Sequence, residues 1–404
     1  MEHYDVCVLG GGPAGYAAAM RAIDLGKRTL LIERDRIGGT GIYNGALTSK
    51  TLWELSQRVA SANEVVHTRG RERFRLSWEE ISRTLNEAVF ERKYLYACHM
   101  QLLQNGSDRF RHERGNARFT ASHTVSIERP GSLVHVSADH FVVATGSRPR
   151  TIPGVEVDER TIMTSDGIFA MNELPKSIVI VGAGVIGCEF ATIFSNFGDT
   201  KVHLIDRAER ILPFEDEDIS ELIGSGLERK GVVIHRNATL RELVRSERGV
   251  SFTLDLPEGV TTTHNVECAL LSVGRVPNVD NIGLECSGVV RDANGRIPLD
   301  GTRSPIEHIH LVGDATGSNM LVNLGELAGR HAVESMYGTP DSRLDEKNVS
   351  SIMFLDPEVA GIGANEQGLR KSGTPYRVAR MDYSCLARAI AMRRTKGFFK
   401  LIVT

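Results

Sequence analysis

The sequence runs to 404 residues, enough for two or three domains that each bury a core of their own. Its 41% apolar and 25% charged content and a net charge of −3, from 48 Lys plus Arg against 51 Asp plus Glu, match an ordinary globular chain. They exclude disorder and a membrane-embedded bundle, and they give no electrostatic reason to expect nucleic acid or an anionic membrane surface as partner.

In chain order, Tyr4 to Leu9 is a short apolar run that breaks at Gly10-Gly11-Gly12-Pro13-Ala14-Gly15 and resumes as an Ala-rich helical pattern through Leu25. A second apolar run, Arg28 to Ile32, ends in Glu33. Strand, glycine turn, helix, strand is the first unit of a dinucleotide-binding fold. Gly10 makes the tight turn, Gly12 lets backbone approach a pyrophosphate, and Gly15 lets the helix pack on the strand. The segment from about Thr51 to Gln104 has helical periodicity and closes at Asn105-Gly106, which suits a C-cap, so helices attached to the first domain are expected. The arginines between Arg69 and Arg75 and between Arg109 and Arg118 alternate with Glu72, Asp108 and Glu113, which reads as a solvated face.

The first arrangement then returns. Ser177 to Val181 leads into Gly182-Ala183-Gly184-Val185-Ile186-Gly187, and Val202 to Ile205 leads into Asp206. Either turn alone is weak; two copies, each after an apolar run and each followed by an acid at matching spacing, argue for two dinucleotide sites. Further on, Leu270 to Val273 precedes Gly274-Arg275-Val276-Pro277-Asn278, and Ile309 to Val312 precedes Gly313-Asp314, so two more motifs stand at strand ends, where open α/β sheets hold ligands. From about Val349 short alternating runs, Ser351 to Phe354, Tyr376 to Ala379 and Phe398 to Val403, begin a small antiparallel domain. The six cysteines (Cys7, Cys98, Cys188, Cys268, Cys286, Cys385) have no CxxC spacing, which suggests neither a disulfide framework nor a metal site. No long apolar stretch and no targeting segment before Tyr4 is seen, so a cytoplasmic protein is expected.

Taken together, Gly10 to Gly15 with Glu33, Ala144-Thr145-Gly146, the second glycine turn with Glu189 and Asp206, and Gly313-Asp314 resemble the two-dinucleotide-binding-domain flavoproteins, the pyridine nucleotide–disulfide oxidoreductases. Within that family the chain is similar to dihydrolipoyl dehydrogenase and to the soluble pyridine nucleotide transhydrogenase. The resemblance implies an α/β fold of two Rossmann-like domains plus a partial α+β interface domain. It divides the chain into FAD binding over 1–150 and 276–348, NAD(P) binding over 151–275 and dimerisation over 349–404. It implies FAD on Gly10, Gly12, Gly15, Glu33, Gly39, Thr40, Ala144, Thr145, Gly146 and Asp314, with Gly313 in the same turn. NAD(H), with NADP(H) tolerated, falls to Gly182, Gly184, Gly187, Asp206, Gly274 and Arg275. Lys50 and Glu189 are implied to pair beside the flavin and act on it. For Asp206, hydrogen bonding to a 2′-hydroxyl favours NADH; Arg207 and Arg210 either turn toward a 2′-phosphate or face solvent with Glu209.

Three departures from the family stand out. Where its members carry two redox cysteines five positions apart, this sequence reads Gly41-Ile42-Tyr43-Asn44-Gly45-Ala46, and disulfide chemistry requires sulfur there. Met320-Leu321-Val322-Asn323 replaces a Met-Leu-Ala-His run, and the sequence stops at Thr404 in what reads as the middle of the third domain, which weakens the case for the implied homodimer. Cys385-Leu386-Ala387-Arg388-Ala389 resembles a run in the soluble transhydrogenase, which also lacks an intact disulfide. The expected function is therefore an FAD-dependent NAD(P)H oxidoreductase with a non-disulfide acceptor, a nicotinamide before a quinone. A redox-sensing flavoprotein without turnover is the alternative.

Overall fold

The computed structural model describes residues 1–67, 72–247, 249–338, 344–346 and 348–404; Arg69 and Arg71 of the arginine run lie outside the described residues. Two compact units are present, one of residues 1–49, 84–148 and 275–346, the other of residues 50–83, 149–274 and 347–404.

In the first unit a seven-stranded sheet is built around the strand Glu2–Leu9, apolar and buried from Val6 onward, which pairs in parallel with Thr29–Glu33 on one side and Ser132–Val143 on the other. Ser132–Val143 is long enough to serve twice. Its first half forms an antiparallel hairpin with Thr124–Arg129, and its buried second half joins the parallel sheet and carries Ile309–Leu311 on its far edge. Four strands thus end on one edge of the sheet, and those ends deliver Gly10, Glu33, Ala144-Thr145-Gly146 and Gly313-Asp314. The helices Pro13–Asp24 and Val322–Tyr337 pack so closely that a β-carbon on Gly329 would stand 2.2 Å from the Ala14 carbonyl oxygen.

The second unit has a five-stranded parallel sheet in the order Val233–His235, Lys201–Ile205, Ser177–Val181, Cys268–Leu271, Ile162–Thr164. An antiparallel meander, Thr239–Ser246, Gly249–Asp255 and Thr261–Val266, shares its core through Leu243, Phe252 and Leu254. Residues 50–83 group with this unit rather than with the first. Asn196 Nδ2 donates to Ser56 Oγ at 3.2 Å, and Arg73 donates to the Gly198 carbonyl at 2.9 Å. The next helix, Trp78–Gly106, opens on a reciprocal cap between Ser77 and Glu80 and runs through Asn105-Gly106. The helix ends at Gly106, where the sequence places its close.

Residues 349–404 form two antiparallel ribbons, Ser351–Met353 with Val359–Gly361 and Arg377–Asp382 with Phe398–Val403. Lys400 fastens the second ribbon: its buried ammonium reaches Asp216 Oδ2 at 2.7 Å, Asp218 Oδ1 at 2.8 Å and Glu366 Oε1 at 3.0 Å. Burial disfavours that charge, but the three carboxylate bonds outweigh it and hold the Lys400 pKa above its ordinary value.

Two histidines are buried in the neutral form. Burial, with neighbouring His235 and Lys201, lowers His203 from 6.5 to about 4, and burial, with His140 and Arg303, does the same for His310. The folded pKa lies below the unfolded one, so the unfolded chain binds more protons between these values and acid favours unfolding. Stability measured by denaturant titration should hold above pH 6.5 and decline from about 6.5 to 4, by an amount of order 3 kcal/mol per histidine. A flat profile between pH 7 and 5 would contradict this burial.

Candidate functional site

The first glycine turn is made by what its residues lack. Gly10 has φ +105°, and a β-carbon on Gly15 would stand 1.9 Å from the Gly10 carbonyl oxygen. Gly12 is different: nothing lies within 4 Å of where its β-carbon would be, and it begins the helix Pro13–Asp24 with no side-chain cap and no acid in the first turn. Uncapped helical N–H groups facing open space fit a pyrophosphate. Glu33 is held from both ends, Oε2 accepting from Gly11 N–H at 2.7 Å and Oε1 from Asp35 N–H at 2.8 Å. A carboxylate has about four acceptor positions, so two remain for ribose hydroxyls.

The second turn repeats this plan. Gly182 has φ +102°, the β-carbon of a substituted Gly187 would stand 1.9 Å from the Gly182 carbonyl oxygen, and Gly184 again has nothing within 4 Å. Asp206 Oδ2 accepts from Ala183 N–H at 2.7 Å and Oδ1 from Ala208 N–H at 2.9 Å. Arg210 contacts Gln367 and the Pro213 carbonyl rather than Glu209. One carboxylate bound by two backbone amides beside a glycine turn occurs in both units, and each suits an adenosine ribose.

Other expected site residues of the first unit gather near their partners. Gly39 begins the short helix Gly39–Tyr43, where its β-carbon would come 3.4 Å from Gly12 Cα, and the Thr40 carbonyl lies against Gly45. Ala144 closes on Gly10, Gly146 has φ +70°, and Thr145 Oγ1 is buried with no partner among the described residues. Gly274, in the second unit, has φ +100° and its carbonyl accepts from Arg150 N–H at 2.9 Å. Arg275 is committed to the protein, donating from Nε to Ser147 Oγ at 2.7 Å and from Nη2 to the Ser147 carbonyl at 3.0 Å. Ser147 Oγ in turn donates to Asp314 Oδ2 at 2.6 Å. Asp314, next to Gly313 in a short turn, is thus oriented by a relay that sequence reasoning did not contain, and Asn278, the last residue of the run begun at Gly274-Arg275, donates from Nδ2 to the Thr145 carbonyl at 3.2 Å.

In the second unit Lys50 and Glu189, 139 residues apart in the chain, do meet: Lys50 Nζ lies 3.2 and 3.1 Å from the two Glu189 carboxylate oxygens. Glu189 is buried in the first turns of the helix Val185–Phe197, whereas the Lys50 side chain is 34% exposed. The residue missed here is Phe354. Its backbone N–H donates to Glu189 Oε1 at 3.0 Å and its ring lies 4.7 Å from Lys50 Nζ. Its only sequence signal was its place at the end of an apolar run.

All six cysteines are free. Burial pushes the Cys7 and Cys188 thiols up and Cys268 to about 12, so none of these three is a thiolate near neutral pH. Among the described residues no cluster of ligands could hold a metal, and no helix is long and apolar enough to cross a membrane.

The family model described as pyridine nucleotide-disulphide oxidoreductase matches residues 4–332, and the dimerisation-domain model of the same family matches residues 349–404. The chain is 32% identical to a dihydrolipoyl dehydrogenase of Bacillus subtilis, over 99% of this chain and 85% of that protein. It is 30% identical to the soluble pyridine nucleotide transhydrogenase of Vibrio vulnificus, again over 99% and 85%. Among solved structures, LpdA from Mycobacterium tuberculosis matches with a TM-score of 0.88 at 26% identity, covering 100% of this chain and 87% of that one. The Cu(II) complex of the HOCl-induced flavoprotein disulfide reductase RclA from Escherichia coli matches with a TM-score of 0.85 at 26% identity, with the same coverage.

The open space at Gly12 separates binding from folding. Gly12→Val should leave the melting temperature within a few degrees and yield protein without flavin absorbance, whereas Gly15→Ala should also impair folding, because backbone stands where its methyl group would go. Flavin retained by folded Gly12→Val protein would show that the pyrophosphate lies elsewhere.

Proposed function

The chain belongs to the pyridine nucleotide-disulphide oxidoreductase family, and from that premise we propose that it passes a hydride from NADH to bound FAD and on to an acceptor that is not a disulfide. A second nicotinamide nucleotide is the preferred acceptor, ahead of a quinone. The family uses FAD and NAD(P)H, and FAD supplies two-electron chemistry that no side chain provides.

The observation that carries the proposal is the loop Gly41 to Ala46, which holds no sulfur. A β-carbon on Gly41 would stand 2.7 Å from Pro13 Cγ, so the loop is packed where a cysteine side chain would have to begin. Without a thiolate there, no mixed disulfide forms and no substrate disulfide is cleaved. The remaining residues take roles that need no sulfur. The turns at Gly12 and Gly184 bind phosphates, Glu33 and Asp206 orient riboses, Asp314 is held by Ser147 to accept from a ribitol hydroxyl, and Lys50 is the fixed cation that tunes the flavin. Residues 349–404 supply the interface of a homodimer. The similarity to the Vibrio vulnificus transhydrogenase supports a nicotinamide acceptor.

Anaerobic mixing with NADH followed by a nicotinamide analogue tests the reading. The flavin absorbance should bleach and then return, while dihydrolipoamide and glutathione disulfide should show no turnover. Bleaching that no nicotinamide or quinone reverses would favour a redox sensor, and no bleaching would end the redox reading. Asp206 repels a 2′-phosphate, so NADH should reduce the flavin more efficiently than NADPH, and Asp206→Ala should narrow that ratio several-fold. An unchanged ratio would remove Asp206 from the ribose.

A further inference from the structure

The ion pair has a third wall. Lys50, Trp53 and Gln57 stand at i, i+3 and i+7 on the helix Ala46–His67, the spacing of a single helical face, and all three engage the segment Phe354-Leu355. Lys50 Nζ stands over the Phe354 ring, whose own edge meets the Trp53 ring at a 5.3 Å centroid distance and a 77° interplanar angle. Trp53 Nε1–H donates to the Leu355 carbonyl at 3.2 Å and Gln57 Nε2 donates to the same oxygen at 3.4 Å. From its other side Phe354 donates its backbone N–H to Glu189. One residue therefore touches both members of the pair, the anion through its amide and the cation through its ring face.

The two contacts act on different freedoms. The amide fixes one carboxylate oxygen, so the Glu189 rotamer is set before Lys50 arrives. Lysine has a flexible four-carbon stem and a strongly hydrated head, and a side chain about one third exposed would otherwise swing toward water. An aromatic face favours the cation without offering a competing acceptor, so the ammonium keeps a hydrogen-bonding direction free.

We propose that Phe354 is a positioning residue, which holds the Lys50 ammonium in place against Glu189 and thereby raises the electron affinity of the flavin. This rests on Lys50 being the cation that tunes the flavin. A cation fixed near the flavin favours the reduced, more negative form. A lysine free to swing favours it less.

The test uses FAD-loaded full-length protein and reads the equilibrium between flavin and NADH by anaerobic spectroscopic titration. Phe354→Leu keeps the backbone amide and most of the apolar volume but removes the ring. It should weaken flavin reduction about tenfold, a fall of ~30 mV for a two-electron couple. Phe354→Tyr, which restores a ring, should return the equilibrium to the parent value, a rescue that mere loss of packing would not require. Trp53→Phe removes the Nε1–H donor to Leu355 while retaining a ring, and should shift the equilibrium in the same direction by less, so the proposal can be judged even where Phe354→Leu loses its flavin. Lys50→Gln sets the full effect. An equilibrium shifted by Lys50→Gln but unmoved by Phe354→Leu, or by Trp53→Phe where the leucine variant fails, overturns the role of Phe354 alone. An equilibrium that none of the substitutions moves overturns the reading of Lys50 with it.

Discussion

In both units the first helix starts almost on top of the strand that precedes it, so close that backbone occupies the place of a side chain. At Gly15 and at Gly187 a β-carbon would stand 1.9 Å from the carbonyl of the first glycine of the turn, far inside any van der Waals contact. Any other residue would push the helix outward and separate its free N–H groups from the strand ends. Because the helix is that near, Gly11 N–H and Ala183 N–H come within 2.7 Å of an acid at the end of the next strand. Close packing thus positions two kinds of group in one step: amides that can face phosphates, and a carboxylate that can face a ribose. The sheets behind them are apolar and nearly solvent-free because both faces are covered, in the first unit by helices on one side and the hairpin carrying Phe119, Val125 and Ile127 on the other, and in the second unit by the meander carrying Leu243, Phe252 and Leu254 on one side.

A different solution holds the ion pair in the second unit. Glu189 is buried on a helix that is apolar almost all round, and an ionised carboxylate there would be costly without partners. It has three donor contacts, two to the Lys50 ammonium and one from the Phe354 amide, which compensate the lost water. Lys400 faces the mirror problem and meets it with three carboxylates. The contrast lies in exposure. Lys400 is buried and saturated, as a structural fastener is, whereas Lys50 keeps a third of its side chain accessible and retains hydrogen-bonding capacity.

The residues legible in the sequence are those whose task dictates their type locally. Glycine at 10, 15, 182 and 187 and an acid at 33 and 206 are required by backbone geometry within one supersecondary unit, so spacing alone reveals them. Lys50 and Glu189 carry no such local signal; they were found through the resemblance of their flanking runs to a family. Ser147 and Phe354 were not found, because each acts through contacts with residues far along the chain. A serine after a glycine turn or a phenylalanine ending a strand has many equally good reasons to be there. Lys400 was hidden for the same cause: in the alternating run Phe398 to Val403 it reads as a solvent-facing residue, and only the folding of Asp216, Asp218 and Glu366 around it makes it buried.

The loop after Gly38 is held to the first glycine turn by close backbone and ring packing. Gly38 N–H donates to the Gly11 carbonyl at 2.8 Å, which anchors the loop on the first turn, and the helix Gly39–Tyr43 then breaks at Asn44-Gly45 before Ala46 starts the next. The break is tight: a β-carbon on Gly45 would stand 2.7 Å from the Thr40 carbonyl, and one on Gly41 would meet the Pro13 ring. Gly41 leaves no hole in this loop, because the absence of a side chain allows Pro13 to come up against it. A larger residue at 41 would have to displace a proline fixed at the first position of the helix Pro13–Asp24. The packing of this loop and the shape of the first glycine turn are thereby coupled through one ring.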